Sequence, residues 1–318
     1  MAEKKVSVVM TTYNGEKYIR EQLDSIIAQT YPIHELIIQD DCSSDGTVAI
    51  CRWYADRYPF IHVYLNEHNL GYNKNFETAA MRATGDYVAL SDQDDIWFKD
   101  KIAKQVAAIG DHDACGSQHM RGKTMETSHL VNPQHSLEAL LFNGFAGHSL
   151  LLQRAFVQQP SAWSLPLIFD WSLEVNAQLG RGLVMVEEPL NWHRDNEGSA
   201  CHVSNLQHGV RDKKERIRPY IRGGLSYRRL QRQPAWRAFY SYVHEHSAGI
   251  PRLALAHRMS GLMLDPSLIS TLRLCLLCLR HGASIYYSKG QKGLMGKVRA
   301  FCYPFIFAYN NYNFGRQQ

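Results

Sequence analysis

Three carboxylates fall within four residues in Ser91-Asp92-Gln93-Asp94-Asp95, directly behind the apolar run Val88-Ala89-Leu90. Carboxylates held this close repel one another unless a cation sits among them. Hard divalent cations such as Mn2+ and Mg2+ take carboxylate oxygens together with substrate phosphates, and a turn at a strand end leaves coordination positions open for a diphosphate. The same turn reads also as a solvated loop or a helix cap. Asp95, close to a segment that turns helical at Lys99, fits that plainer role. A second polar cluster, Asp40-Asp41-Cys42-Ser43-Ser44-Asp45-Gly46-Thr47, also follows an apolar run. Its Asp45-Gly46-Thr47 part is a turn and cap for the next helix. Asp41 is placed to accept hydrogen bonds from the N–H of a uracil or thymine ring or from a ribose hydroxyl. Thr11, Tyr13 and Asn14 close an earlier apolar run with groups able to stack on and hydrogen-bond the same nucleoside.

The elements that must position these residues are legible in the hydropathy pattern. Residues 6–10 read as a β-rich strand, followed by a polar turn and an amphipathic segment at 17–28. The unit repeats as a strand at 36–39 with a helix at 47–58, and as a strand at 62–65 with a helix at 73–82. A fourth strand at 87–90 ends in the acidic turn. Four such alternations predict a largely parallel sheet with helices on both faces, whose ligands bind outside the carboxyl ends of the strands. Beyond residue 110 the pattern predicts a loop at 116–127, a helix at 137–142 and a strand at 149–152. A helix at 170–179 and two strands at 183–186 and 190–192 follow.

Several of these motifs agree in order and spacing with one family. Val6-Ser-Val-Val-Met-Thr-Thr-Tyr-Asn-Gly15, Leu36-Ile-Ile-Gln-Asp-Asp-Cys-Ser-Ser-Asp-Gly-Thr47, Asn69-Leu-Gly71 and Thr84-Gly-Asp-Tyr-Val-Ala-Leu-Ser-Asp-Gln-Asp-Asp-Ile-Trp97 together resemble the family 2 glycosyltransferases of GT-A fold, over residues 5–200. The resemblance implies an α/β, Rossmann-like domain that transfers a sugar from a nucleotide diphosphate sugar with inversion and with help from Mn2+ or Mg2+. It places Thr11, Tyr13 and Asp41 at the nucleoside. Asp92-Gln93-Asp94 corresponds to the family's DxD motif, with Asp94 and Asp92 as metal ligands. Lys74 falls where the family often has a contact to the donor, and equally reads as a solvated helix residue. His148 and Trp171 fall on the acceptor side, where His148 also reads as a satisfied polar residue behind the pocket and Trp171 as core. Asp170 matches the catalytic base, which takes the acceptor hydroxyl's proton during attack; on residues alone it reads equally as a helix N-cap. One departure stands out. Where relatives carry a Tyr-Arg-Gln-His segment, this chain has Asn191-Trp-His-Arg-Asp-Asn196. Arg194 keeps a cation for the departing diphosphate, Asn196 stands in place of the histidine, and His193 would face elsewhere if the strand continued.

Charge divides the chain. Residues 1–209 carry 16 Lys and Arg against 26 Asp and Glu, and residues 210–318 carry 19 against 4, giving −10 and +15. The expected organisation is a catalytic domain over 1–209 and a basic, mainly helical region over 210–318. Basic charge suits nucleic acid or an anionic membrane surface. The apolar stretches at 268–279 and 301–309 favour the membrane, while Arg273 and Pro304 interrupt them short of the ~20 apolar residues a spanning helix needs. Seven scattered cysteines give no disulfide framework, and the Cys275/Cys278 pair sits in an apolar run that suggests core packing. No charged leader followed by an apolar run opens the sequence. The expectation is a cytoplasmic protein, peripheral on the inner face of the plasma membrane, that glycosylates a glycan or a lipid-linked acceptor in surface polysaccharide assembly and binds no nucleic acid. The Ser-Asp-Gln-Asp-Asp-Ile-Trp segment resembles rhamnosyl transferases as well as members using other hexoses. A processive synthase is disfavoured by the lack of a Gln-x-x-Arg-Trp motif, and a sugar nucleotidyltransferase by the lack of a Gly-rich basic first loop. A catalytically inactive scaffold at the membrane is the remaining alternative.

Overall fold

The computed structural model describes residues 3–196, 217–285 and 293–311. The first apolar runs become strands: β1 (Val6–Thr12), β2 (Ile33–Asp40) and β4 (Tyr87–Ser91) are buried over most of their length on both sheet faces, and β3 (Ile61–Leu65), at the sheet edge, is buried at Ile61 and more open beyond it. Helices α1 (Ile19–Ile27), α2 (Thr47–Ala55) and α3 (Tyr72–Ala80) connect them. Further along lie β5 (Ile96–Trp97), α4 (Lys101–Ile109), β6 (Ala114–Gly122), β7 (His129–Val131), α5 (Leu137–Leu140), β8 (Leu151–Gln153), α6 (Arg154–Val157), α7 (Phe169–Leu179) and β9 (Leu183–Arg194).

These strands form one sheet in the order β3-β2-β1-β4-β8-β6-β9-β5, with β7 paired to β6. The neighbours β3, β2, β1 and β4 are parallel, and β8 reverses direction between β4 and β6. The α/β, mostly parallel GT-A architecture is therefore as expected, while two local expectations are corrected and one short strand is additional. Residues 116–127 are not one loop: Ala114–Gly122 is a strand paired with both β8 and β9, masked in the sequence by its Gly, Ser, Gln and His content. The two strands foreseen at 183–192 are a single one, whose pairing with β6 shifts register around Gln118 and Pro189. The two-residue strand β5, which carries the chain out of the acidic turn to pair with the end of β9, was not foreseen, because so short an element has no periodicity to read.

The chain divides into two compact units. One comprises Met1–Pro133, Ala146–Ser164 and Ile168–Glu197, and the other Gln134–Phe145, Leu165–Leu167 and Gly198–Gln318. The segment 134–145, which contains α5, thus belongs with the C-terminal unit, and the expected boundary at 209/210 lies outside the described residues. The second unit contains α8 (Arg218–Arg232), α9 (Pro234–His246), α10 (Ala254–Leu264), α11 (Leu268–Arg280), α12 (Gly282–Ile285), α13 (Leu294–Phe301) and α14 (Tyr303–Asn311). Its core is aromatic. Trp236 meets Phe307 edge-on at 5.3 Å and stacks on Tyr240 at 5.9 Å, and the Tyr240 hydroxyl donates to the Leu141 carbonyl at 3.2 Å. Cys275 and Cys278 are buried in α11, and burial pushes the Cys275 thiol up to about 12, so both pack as small apolar groups.

Candidate active site

Parallel pairing of β1 with β2 and β4 carries the three polar segments to the same edge, with Thr12 beside Asp40 and Met10 beside Ser91. The loops there are cross-tied. Gln93 both accepts from the Tyr13 N–H at 3.0 Å and donates to the Tyr13 carbonyl at 2.9 Å, which fixes the first loop to the acidic turn. A Cβ on Gly15 would lie 2.1 Å from the Gln93 Oε1, so only glycine admits this approach. Asn14 takes a left-handed conformation, φ 50°, from which its Oδ1 accepts the Ser44 N–H at 2.8 Å. Thr11 is half-buried, and the Tyr13 side chain is half exposed above this frame. Gln93 and Asn14 thus spend their polar groups on the loops that present the site.

Asp41 is buried and serves the same purpose. Its Oδ1 accepts from Asn66 Nδ2 at 2.7 Å and from the Leu70 N–H at 2.7 Å, and its Oδ2 accepts from the Gly71 N–H at 2.9 Å. Asp41→Ala is expected to release the loop 66–71 and destabilise the domain by about 2–4 kcal/mol, read as a lower urea midpoint. Lys74, one turn into α3, is exposed and paired with Glu77 at 2.9 Å, as a solvated helix residue would be. Its neighbour Asn73, which the sequence did not single out, accepts the Phe169 N–H at 2.9 Å and so ties α3 to the start of α7. Phe169 also stacks on Phe76 with ring centroids 4.3 Å apart.

Those two contacts set the position of Asp170. The residue is second in α7, whose N-cap is Ile168, so Asp170 is not the N-cap itself. Its Oδ1 accepts the Trp171 N–H at 2.8 Å and its Oδ2 the Gly147 N–H at 3.2 Å. Burial outweighs these bonds and raises its carboxyl to about 6. A Cβ on Gly147 would sit 3.0 Å from the Phe169 ring and 3.1 Å from the Asp170 Cβ, so glycine permits the contact. Trp171 is buried beneath.

Burial first, and then the charges of Asp95 and Asp94, push the Asp92 carboxyl well above the ordinary range; burial and Asp95 raise the Asp94 carboxyl. The adjacent residues Gly147 and His148 link the α7 carboxylate to the β4 turn, since the Gly147 N–H reaches Asp170 Oδ2 and the His148 ring lies 3.3 Å from Asp95 Oδ2. Asp92 and Asp94 are partly exposed, whereas Asp95 is fully buried. Asp95 is therefore no helix cap: its Oδ1 pairs with His193 Nδ1 at 2.8 Å, and its Oδ2 lies 3.3 Å from both His148 Nδ1 and Asn191 Nδ2. Burial alone would depress His193, but Asp95 outweighs it and raises the imidazole to about 9, a cation behind the turn. His148 is buried, stacks on His193 at 4.7 Å and is kept neutral by burial and by that charge. It supports the turn from behind and is not exposed on an acceptor face.

The end of β9 completes the surround. The Arg194 guanidinium donates to the Asp94 carbonyl at 3.2 Å, pairs with Glu21 at 2.6 Å and lies over the rings of Tyr18 and Trp192. Asn196 Nδ2 donates to Asp94 Oδ2. The strand ends at Arg194, so period-2 facing no longer applies beyond it, and His193 and Asn196 both reach the turn, at different carboxylates. Clustered, partly exposed hard-oxygen donors that repel one another are the chemistry a divalent cation requires, and Asp92 and Asp94 fit that role. Asp92, Asp95, His148 and His193 also offer ligand atoms within 4.8 Å of one another.

Residues 7–163 match the family described as Glycosyl transferase family 2. The chain carries a family 2 glycosyltransferase domain. Within it, 101 residues are 44% identical to the putative teichuronic acid biosynthesis glycosyltransferase TuaG of Bacillus subtilis, covering 32% of this chain and 40% of that protein. A stretch of 105 residues is 43% identical to the dTDP-rhamnosyl transferase RfbG of Shigella flexneri, covering 31% of this chain and 36% of that one. The matches span well under half the length of these two relatives. The glycosyltransferase fold is shared with S. aureus TarS 1-349 in complex with UDP-GlcNAc, at a TM-score of 0.54 and 19% identity over 99% of this chain and 92% of that one.

Proposed function

We propose that the protein transfers one sugar, with inversion, from a UDP- or dTDP-linked donor to a hydroxyl of a glycan or lipid-linked acceptor in surface polysaccharide (O-antigen or capsule) assembly, at an anionic membrane surface. The observation that carries this reading is that Gly147-His148 touches both Asp170 and the acidic turn, which supports a base and a diphosphate side in one site. The kinship with TuaG and RfbG supports the process and the nucleotide class.

Tyr13, with Thr11, would hold the nucleoside at the β1 end. Mn2+ or Mg2+ held by Asp94 and Asp92 would neutralise charge on the diphosphate. Asp170 takes the acceptor hydroxyl's proton as the new C–O bond forms at the anomeric carbon and the bond from that carbon to the diphosphate oxygen breaks; the nucleoside diphosphate carries away the electron pair. Arg194 and the His193 cation, both held against the acidic turn, would offset negative charge developing on the diphosphate. Among the described residues no helix is long and apolar enough to cross a membrane.

Donor hydrolysis and binding across UDP-, dTDP- and GDP-sugars, with and without Mn2+, test the reading. Metal-dependent selection of one uridine or thymidine donor is expected. No binding of any donor under either condition would favour an inactive scaffold.

A further inference from the structure

Helices α8, α11 and α13 of the C-terminal unit each bury one face and leave a second apolar face bare. In α11, Leu274, Leu277 and Cys278 are buried, while Leu268, Ile269, Leu272 and Leu276 are exposed, the first two at 72% and 65%. The exposed set falls at i, i+1, i+4 and i+8, a continuous stripe. In α8, Tyr227 and Leu230 point into the core, while Ile221 and Leu225, one turn apart, are 75% and 66% exposed. In α13, Leu294 and Met295 are 76% and 75% exposed. Helices α11 and α13 pack against each other, so their bare faces belong to neighbouring helices. Bulky apolar side chains this exposed are not needed for folding, and contiguous ones mark an interaction surface.

Charge identifies the occupant. The three helices contain no acidic residue, and Arg222, Arg228, Arg273, Arg280, Lys297 and Arg299 are exposed beside the apolar stripes. Pairing these faces between two copies of the chain would set cations against cations, whereas an anionic surface offsets them. At 13 residues α11 is too short to span a bilayer and suits a helix lying in the plane of the interface, with apolar side chains in the acyl boundary and cations at the phosphates.

We infer that the bare faces of α8, α11 and α13 insert into an anionic phospholipid bilayer, so that apolar burial adds to charge attraction in holding the enzyme there. This rests on the proposed action at a membrane and names the surface that performs it. The test is vesicle co-sedimentation of the full chain, with phosphatidylglycerol–phosphatidylcholine vesicles and with phosphatidylcholine alone. The variants are Ile221→Ser/Leu225→Ser, Leu272→Ser/Leu276→Ser and Arg222→Gln/Arg273→Gln, each checked for a wild-type melting curve. Wild type is expected to sediment with the anionic vesicles only, and each serine pair to lower the partition coefficient about tenfold or more even at low salt. The glutamine pair should weaken it less, and donor hydrolysis in solution should not change. Serine variants that bind like wild type, with high salt alone stripping the protein, would overturn the insertion and leave the membrane reading standing. Absence of wild-type binding to anionic vesicles would remove both. A wild-type dimer in gel filtration that the serine pairs dissociate would assign the faces to self-association instead.

Discussion

Asp170→Asn is expected to lower the rate of sugar transfer by about 10²–10⁴-fold while donor binding and the fold persist. Asparagine keeps the shape, and its single oxygen can still accept one of the Trp171 and Gly147 N–H groups, but it cannot take a proton from the acceptor. The pH profile separates catalysis from structure. With its carboxyl at about 6, Asp170 is a competent base only above that pH, so wild-type transfer should rise through pH 6 to a plateau, and the variant should lose that limb. The stability effect has the opposite sign. A carboxyl whose pKa is raised by folding stabilises the folded state at low pH and loses that contribution as pH rises through the folded value. Near neutral pH, removing the buried charge therefore offsets the loss of one accepted N–H bond, and the variant should stay within about 1–2 kcal/mol of wild type. A variant that transfers at the wild-type rate, with the limb intact, would exclude Asp170 as the base.

Asp94→Ala is the second large effect, with an expected loss on the order of 10²–10³-fold in donor hydrolysis and transfer. The Asp94 carboxyl is raised by burial and by Asp95, so without a cation it strains the turn. Alanine relieves that repulsion, and the metal-free variant should melt at or above the wild-type temperature. Added Mn2+ should raise the wild-type melting temperature by mass action and move that of Asp94→Ala little. A variant that keeps both Mn2+ stabilisation and donor hydrolysis would place the cation elsewhere, with Asp95, His148 and His193 the next candidates.

The sequence alone determined the strand–loop–helix alternation, and with it the edge where Tyr13, Asp41 and the acidic turn meet. Those signals are local: apolar runs ending in polar turns, read through periods of 2 and 3.6 residues. It also exposed the change of charge near residue 210 and the candidate base at Asp170. The tertiary structure decided which polar groups are tied to neighbouring loops and which stay partly exposed. Asp41, Asn14 and Gln93 bond to groups of neighbouring loops, which no spacing reveals because those partners lie 25 to 80 residues away. Asp95 became a buried partner of His193 because the short strand pairing with β9 folds it under the turn, a consequence of non-local register. Asn73 and Phe76, ordinary residues in a helical pattern, acquired the task of placing Asp170 only because α3 packs beside α7. Pattern fixes where chemistry can gather, since it depends on near neighbours; which side chain performs it depends on desolvation and pairing, and those exist only once distant segments are packed.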